Sequence, residues 1–173
     1  SLRLGHQYVR ISLTGYSCDI NDSTTFKRCR AFEQSGFDVL SFTYDRAQAP
    51  LLDLPTWTNV DLGPLENGLG LHRLIGFVTS ARLFLRHRKA IRQASFIYAR
   101  YARNLDQAIL AILGRWLSLS RAPLVYEVLD LHPLVLSPGK KGRVARWLER
   151  FVLRRASHLV ISSDGFVERF FKP

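Results

Sequence analysis

Apolar positions along the chain fall into short runs separated by longer stretches of helical spacing. "YVRISL" near the N-terminus, "FDVLSFTY" after Gly36, "SFIYA", "PLVYEVL" and "HLVIS" read as strands. Strands with little polar alternation are those covered by helices on both sides. A helix is predicted from Ser23 to Ser35, capped by Asp22 or Ser23 and ended by Gly36, with Phe26, Cys29 and Phe32 on one face. A second runs from Leu71 to Gln93 with Leu74, Phe77, Val78, Ala81 and Phe84 inward. A third follows Asn104, a good cap, and repeats Leu105, Ala108, Ile109, Ile112, Leu113 and Trp116. A fourth follows Gly139. There Val144, Trp147, Leu148, Phe151 and Val152 make one stripe, read as core-facing, and Arg143, Arg146, Arg150 and Arg154 the opposite one. Arg46 to Gly70 is irregular, with "TNVDLG" as a short strand inside it, and "DGFVERFF" begins a last helix.

Strand and helix therefore alternate from end to end. The pattern predicts an α/β fold: a Rossmann-like open parallel sheet of roughly six strands in a three-layer helix–sheet–helix sandwich. A chain of 173 residues suits one domain with a sizeable core.

Open parallel sheets bind ligands at the carboxyl ends of their strands, where helix N-termini also point. "YEVLDLHP" puts Asp130 and His132 two residues apart where an apolar strand runs out. Other positions just past predicted strand ends are Gly15 to Asp22, Arg100 to Asn104, and Ser162 to Asp164. Each has a plainer structural role. Asp130 suits a turn, and Gly15 closes one. His132, Arg100 and Arg103 suit a solvated surface, and Ser162 and Ser163 cap the following helix. Their convergence on one edge makes them candidates together.

Several chemistries fit poorly. No G-x-G-x-x-G follows the first strand, no G-x-x-x-x-G-K-[ST] loop is present, and no G-x-S-x-G elbow occurs. The five histidines are scattered without metal-ligand spacing. Cys18 and Cys29 make no disulfide framework, and Cys29 reads as a packed, reduced thiol, which fits a reducing cytoplasm. No apolar run approaches the roughly 18–20 residues of a membrane span.

The net charge of +11 speaks of acidic partners: nucleic acid, an anionic membrane or phosphate-bearing ligands. Arg82, Arg86 and Lys89 on the second helix, and Arg143, Arg146 and Arg150 on the fourth, are expected to face an anionic membrane or simply water. Nucleic acid is the less favoured partner, because the aromatics fall mostly on stripes assigned to the core.

The motifs also carry a resemblance. "YEVLDLHP" resembles the strand-end motif (F/Y)-E-V-x-D-L-x-P in the N-terminal domain of family 4-type glycosyltransferases. "TFKRCRAFEQSGFDVLSFTYDR" is similar to that family's first helix and second strand, and "ERFVLRRASHLVISSDGFVERFF" to its closing section. The resemblance implies residues 1–173 as a single acceptor-side domain, one half of a GT-B fold, with a donor-binding C-terminal domain to follow. It implies retaining transfer of a sugar, of hexosyltransferase type, from a nucleotide-sugar to an acceptor glycan or lipid-linked sugar, as in polysaccharide biosynthesis. It implies no cofactor and no required metal, a cytoplasmic location at the inner membrane face, and no activity for this domain alone. Asp130 and His132 are the implied catalytic-site residues, Asp130 first, because many relatives carry tryptophan where His132 stands. Gly15, Arg100, Arg103, Asn104 and Ser163 are the substrate-binding candidates. The alternative is a basic α/β domain that binds nucleic acid or a small molecule without catalysis.

Overall fold

The computed structural model describes residues 3–4, 7–8, 11–17, 23–45, 55–64, 71–101, 106–128, 135 and 137–161. Strands β1 (Arg3–Leu4) and β2 (Gln7–Tyr8) form a small antiparallel ladder. The main elements follow as β3 (Ile11–Ser17), α1 (Ser23–Gln34), β4 (Phe37–Asp45), β5 (Thr58–Pro64), α2 (Leu71–Arg86), α3 (Arg88–Gln93), β6 (Phe96–Tyr101), α4 (Asp106–Leu117), β7 (Leu124–Val128), α5 (Lys140–Leu153) and β8 (His158–Ile161).

Strands β3 to β8 form one six-stranded sheet in the order β5-β4-β3-β6-β7-β8, and every neighbouring pair is parallel. The chain starts at the centre, winds out to β5, then returns to continue from β6 on the other side. The reversal between β3 and β6 is the switch point at which doubly wound sheets open a crevice. The α/β, Rossmann-like expectation is met, and "TNVDLG" is indeed a strand.

The two-residue period of the strands sorts their side chains onto two faces. Tyr16, Leu40, Phe42, Tyr44, Ile97, Ala99, Leu124, Tyr126 and Val128 share one face. They form a core cluster with Phe84 of α2, Ile91 of α3, Ala108, Leu110 and Ala111 of α4, and Val152 of α5. Phe42 anchors it, stacked on Tyr16 at 5.2 Å and edge-on to Phe84 at 5.0 Å. Fully burying one such side chain stabilises by about 1.5–3 kcal/mol. The opposite parity packs under α1. There Val39, Tyr98 and Trp57 join Cys29, with Phe26 and Phe32 against them. Right-handed crossovers explain the division: outward winding from β3 to β4 puts α1 on one side, and winding the other way puts α4 and α5 on the other.

Three local expectations are corrected. The first parallel strand is Ile11–Ser17, later than "YVRISL", because pairing with β4 continues through Ser17↔Thr43 and seats Tyr16 in the core. Leu71 to Gln93 is two helices, broken at His87, whose ring packs edge-on against Phe42. The apolar stripes are only partly buried: Val78 is exposed, Val144 is 57%, Trp147 63% and Trp116 73% exposed. For α5 the reason is close approach by small residues. Its buried positions are Gly142, Ala145, Glu149 and Val152, and a Cβ on Gly142 would lie 1.9 Å from the Ser137 carbonyl oxygen. The helix rolls onto that side. Arg146, expected to point outward, instead donates from Nη1 to the carbonyls of Val135 (3.0 Å) and Ser137 (3.1 Å).

Candidate active site

At the switch point, Gly15 of β3 stands in register with Ser41 on one side and Tyr98 on the other. Gly15 is buried, yet among the described residues a Cβ there would meet nothing within 4 Å. Those residues therefore leave space above the centre of the sheet on the α1 face. Gly15 lies inside the strand rather than in the loop beyond it.

Next to this space sits a buried charged cluster. Arg100 and Glu127 are register partners on β6 and β7, 4% and 2% exposed. Arg100 donates from Nη1 to Thr25 Oγ1 on α1 at 3.0 Å, and its Nε lies 3.7 Å from Glu127 Oε2. Arg28, one turn further along α1, reaches Glu127 Oε1 at 2.7 Å. Tyr98 donates its hydroxyl to the other Glu127 oxygen. Two guanidinium groups thus face one carboxylate, Arg100 from within the sheet and Arg28 from the half-exposed surface of α1. Charge held in a low-dielectric surrounding acts over a longer range than the same charge in water. A neutral relay continues across the same face: Trp57 Nε1 donates to Ser41 Oγ (2.9 Å), which donates to Asn59 Oδ1 (2.6 Å), and Thr43 donates to the same oxygen (3.0 Å).

A family model for the glycosyl transferase 4-like domain matches residues 24–172, nearly the whole chain and with it all of the strands from β4 onward. The chain belongs to the glycosyl transferase 4-like domain family. It is 30% identical over 158 residues to the succinoglycan biosynthesis protein ExoL of Rhizobium meliloti (strain 1021), a match covering 90% of this chain and 38% of that protein. The chain thus spans well under half of this relative's length. Among solved structures it is similar to a wide-type short-chain dehydrogenase/reductase of Veillonella parvula DSM 2008 in complex with NADP, with 12% identity, a TM-score of 0.45, and coverage of 88% of this chain and 68% of that one. An ethylated short-chain dehydrogenase/reductase from the same organism gives 11% identity and a TM-score of 0.46 at the same coverage.

In this glycosyl transferase 4-like domain burial holds the Tyr98 hydroxyl and the Cys29 thiol in their protonated forms. Burial pushes the Tyr98 hydroxyl well above the usual tyrosine range, and the hydrogen bond and charge of Glu127 push it further, with Arg28 and Arg100 opposing. Tyr98 therefore keeps its proton and remains a donor. Burial pushes the Cys29 thiol up to about 12, against a smaller opposing effect of Arg100. Cys29 is a packed thiol, not a nucleophile. Among the described residues no three His, Cys, Asp or Glu side chains come together as metal ligands.

Of the candidates read from sequence, Gly15 and Arg100 come together on one face beside the switch point. Arg100 lies within β6, which runs to Tyr101, so it is a buried, partnered cation and not a free one on the rim. Asp130, His132, Arg103, Asn104 and Ser163 lie outside the described residues. Glu127, Arg28, Tyr98 and Thr25 were not picked out by sequence reasoning. The available signal was Glu127 itself, an ionisable residue inside the strand LVYEV whose neighbours are all apolar or aromatic. A carboxylate there requires buried partners.

Proposed function

We propose that this chain is the acceptor-side half of a retaining GT-B glycosyltransferase. The enzyme moves a sugar, of hexosyl type, from a nucleotide-sugar donor to a hydroxyl of a lipid-linked or envelope glycan. A second, donor-binding half closes the cleft over the switch-point rim. The observation that carries this reading is the strand order. It brings Gly15, Arg100 and Glu127 to the two sides of one switch point, in a chain whose family is that of glycosyl transferase 4-like domains. The succinoglycan biosynthesis relative supports a polysaccharide acceptor.

In this reading Asp130, just beyond β7, contacts the acceptor or the transferred sugar, and His132 assists it. Arg103, Asn104 and Ser163 line the same rim. Glu127 and Arg100 act from beneath as positioning residues. They fix the ends of β6 and β7, from which the contacting residues extend, and the half-exposed Arg28 guanidinium beside them favours the departing diphosphate. That electrostatic support needs no metal or cofactor.

The test uses the full-length enzyme and a panel of nucleotide-sugar donors, with nucleoside diphosphate release as the readout and NMR of the anomeric product for retention. Asp130→Ala is expected to cut turnover on the order of 100-fold while leaving the melting curve unchanged. Undiminished turnover removes Asp130 from the site. The 173-residue domain alone is expected to be inactive, and measurable transfer by it overturns the two-domain reading.

A further inference from the structure

The outer surface of α4 and α5 differs from an ordinary solvated helix layer. A cavity of about 890 Å³ opens beyond the C-terminal end of α4, lined by Arg92, Arg115, Arg121 and Arg155 together with Trp116 and Leu119. Among the described residues none of these four arginines has a carboxylate partner. Leu119 is 73% exposed and held at φ +54°, a left-handed conformation that a leucine adopts only at a cost. Arg155 connects the cavity to α5. Its guanidinium lies 3.7 Å over the Phe151 ring, which stacks on Trp147 at 5.9 Å. Exposed Val144 continues the ridge. Over the 14 residues of α5 the strip extends roughly 21 Å. It begins at the end of the sheet where β7 exits and finishes at the opposite end.

We propose that this strip docks the protein onto the surface of an anionic bilayer, with the arginine cavity receiving the phosphate of a lipid headgroup. The chemistry is divided along the strip in the way a headgroup layer requires. Guanidinium groups are placed for phosphate, tryptophans for the interface between headgroup and acyl chain, and Leu119 and Val144 for the apolar boundary. Single-stranded nucleic acid would use the arginines and tryptophans, but it gives an exposed Leu or Val no partner. Among the described residues no helix is long and apolar enough to cross a membrane, so the contact is peripheral. The inference does not depend on the transferase reading. It also moves the membrane contact away from the outward arginine stripe of α5, where Arg146 is already engaged within the fold.

The protein has three tryptophans, and Trp57 is buried while Trp116 and Trp147 are exposed, so intrinsic fluorescence reports on this strip. The experiment measures partitioning to phosphatidylcholine vesicles with and without 30 mol% phosphatidylglycerol, together with quenching by brominated lipid. Anionic vesicles are expected to bind at least tenfold more tightly, with blue-shifted and quenched emission. Inorganic phosphate at millimolar concentration should not reproduce the shift. Arg115→Glu with Arg121→Glu is expected to weaken binding on the order of 30-fold or more. The same charge change at exposed Lys27 and Arg30 on α1, on the other side of the sheet, should cost far less. Trp116→Phe with Trp147→Phe should abolish the quenching. Equal losses from the α1 pair, tryptophans that stay unquenched in the wild type, or tighter binding of a single-stranded oligonucleotide than of anionic vesicles would each overturn the proposal.

Discussion

The two faces of the central sheet come from the same strands, offset by one residue, and they solve different problems. On the α2–α5 face, β6 contributes Ile97 and Ala99 and β7 contributes Leu124, Tyr126 and Val128, all to one dry cluster. On the α1 face the same two strands contribute Tyr98, Arg100 and Glu127, a buried group of charges and hydroxyls. The first face gains stability from apolar area removed from water. The second gives up part of that gain. A buried ion pair rarely stabilises more than well-packed hydrophobic residues of similar volume. Under the proposed function its presence beside the switch point serves the site, where orientation and field matter more than the depth of the folding minimum.

The strongest way to break this comparison is to remove Glu127. Glu127→Ala removes the buried carboxylate shared by Arg100, Arg28 and the Tyr98 hydroxyl, and should cost about 3–5 kcal/mol in urea unfolding. Phe42→Ala on the other face should cost a similar amount, about 3–5 kcal/mol. The two should differ in rescue. Arg100→Met combined with Glu127→Met should regain most of the lost stability but not the turnover of the full-length enzyme. If the double Met variant is as unstable as Glu127→Ala, the charges serve the fold and the distinction between the faces fails.

A smaller effect sharpens the description of the dry face. Among the described residues the buried Tyr16 hydroxyl has no hydrogen-bond partner, and a Cβ on Gly114 of α4 would lie 2.1 Å from it. Gly114→Ala should destabilise by about 1–3 kcal/mol through overpacking. Tyr16→Phe should be neutral or slightly stabilising by itself, since it removes an unsatisfied polar atom, and should relieve most of the Gly114→Ala cost. Additive losses in the double mutant would show that the helix, not the hydroxyl, resists the methyl group.

The smallest effect concerns Cys29 under α1. Its thiol is raised from 9.0 to about 12 in the folded protein, chiefly by burial. The unfolded chain thus releases this proton first, and the folded state binds more protons between those values. Stability from this group is complete below pH 9 and falls as the pH climbs towards 12, by about 1.4 kcal/mol per unit. Urea midpoints at pH 8 and 10 should show that loss in a Cys18→Ser background, and Cys29→Ala should remove it. An unchanged alkaline slope would place the thiol in a wetter setting than its burial indicates.

Much of this architecture was legible because hydrophobic periodicity and turn residues respond to the same layer packing that builds the sheet. Phe26, Cys29 and Phe32 were assigned to one buried face of α1 and lie there, and the weak strand signal of "TNVDLG" proved to be β5. Helix rotation was less legible. Val144 and Trp147 are the more hydrophobic residues of α5, but Gly142 and Ala145 permit closer approach, and steric fit decided which side turned inward. The charged cluster was hidden for a related reason. Strand parity places Glu127 beside Arg100, but pairing across two strands and a helix about a hundred residues away in sequence follows from topology and not from local pattern.

The central pairing of β3 with β6 has a consequence during translation. Leu13 and Phe96, the first partners in that ladder, are about eighty residues apart in sequence. At 5–20 residues per second, the ribosome needs roughly 4–16 s between making one and making the other. Over that interval β3 can pair with β4 along one side only. Its other side presents unfilled N–H and C=O groups to every nascent chain nearby. Slower growth temperature or a holdase that shields the N-terminal half should therefore raise the soluble yield more than any change made downstream of β7.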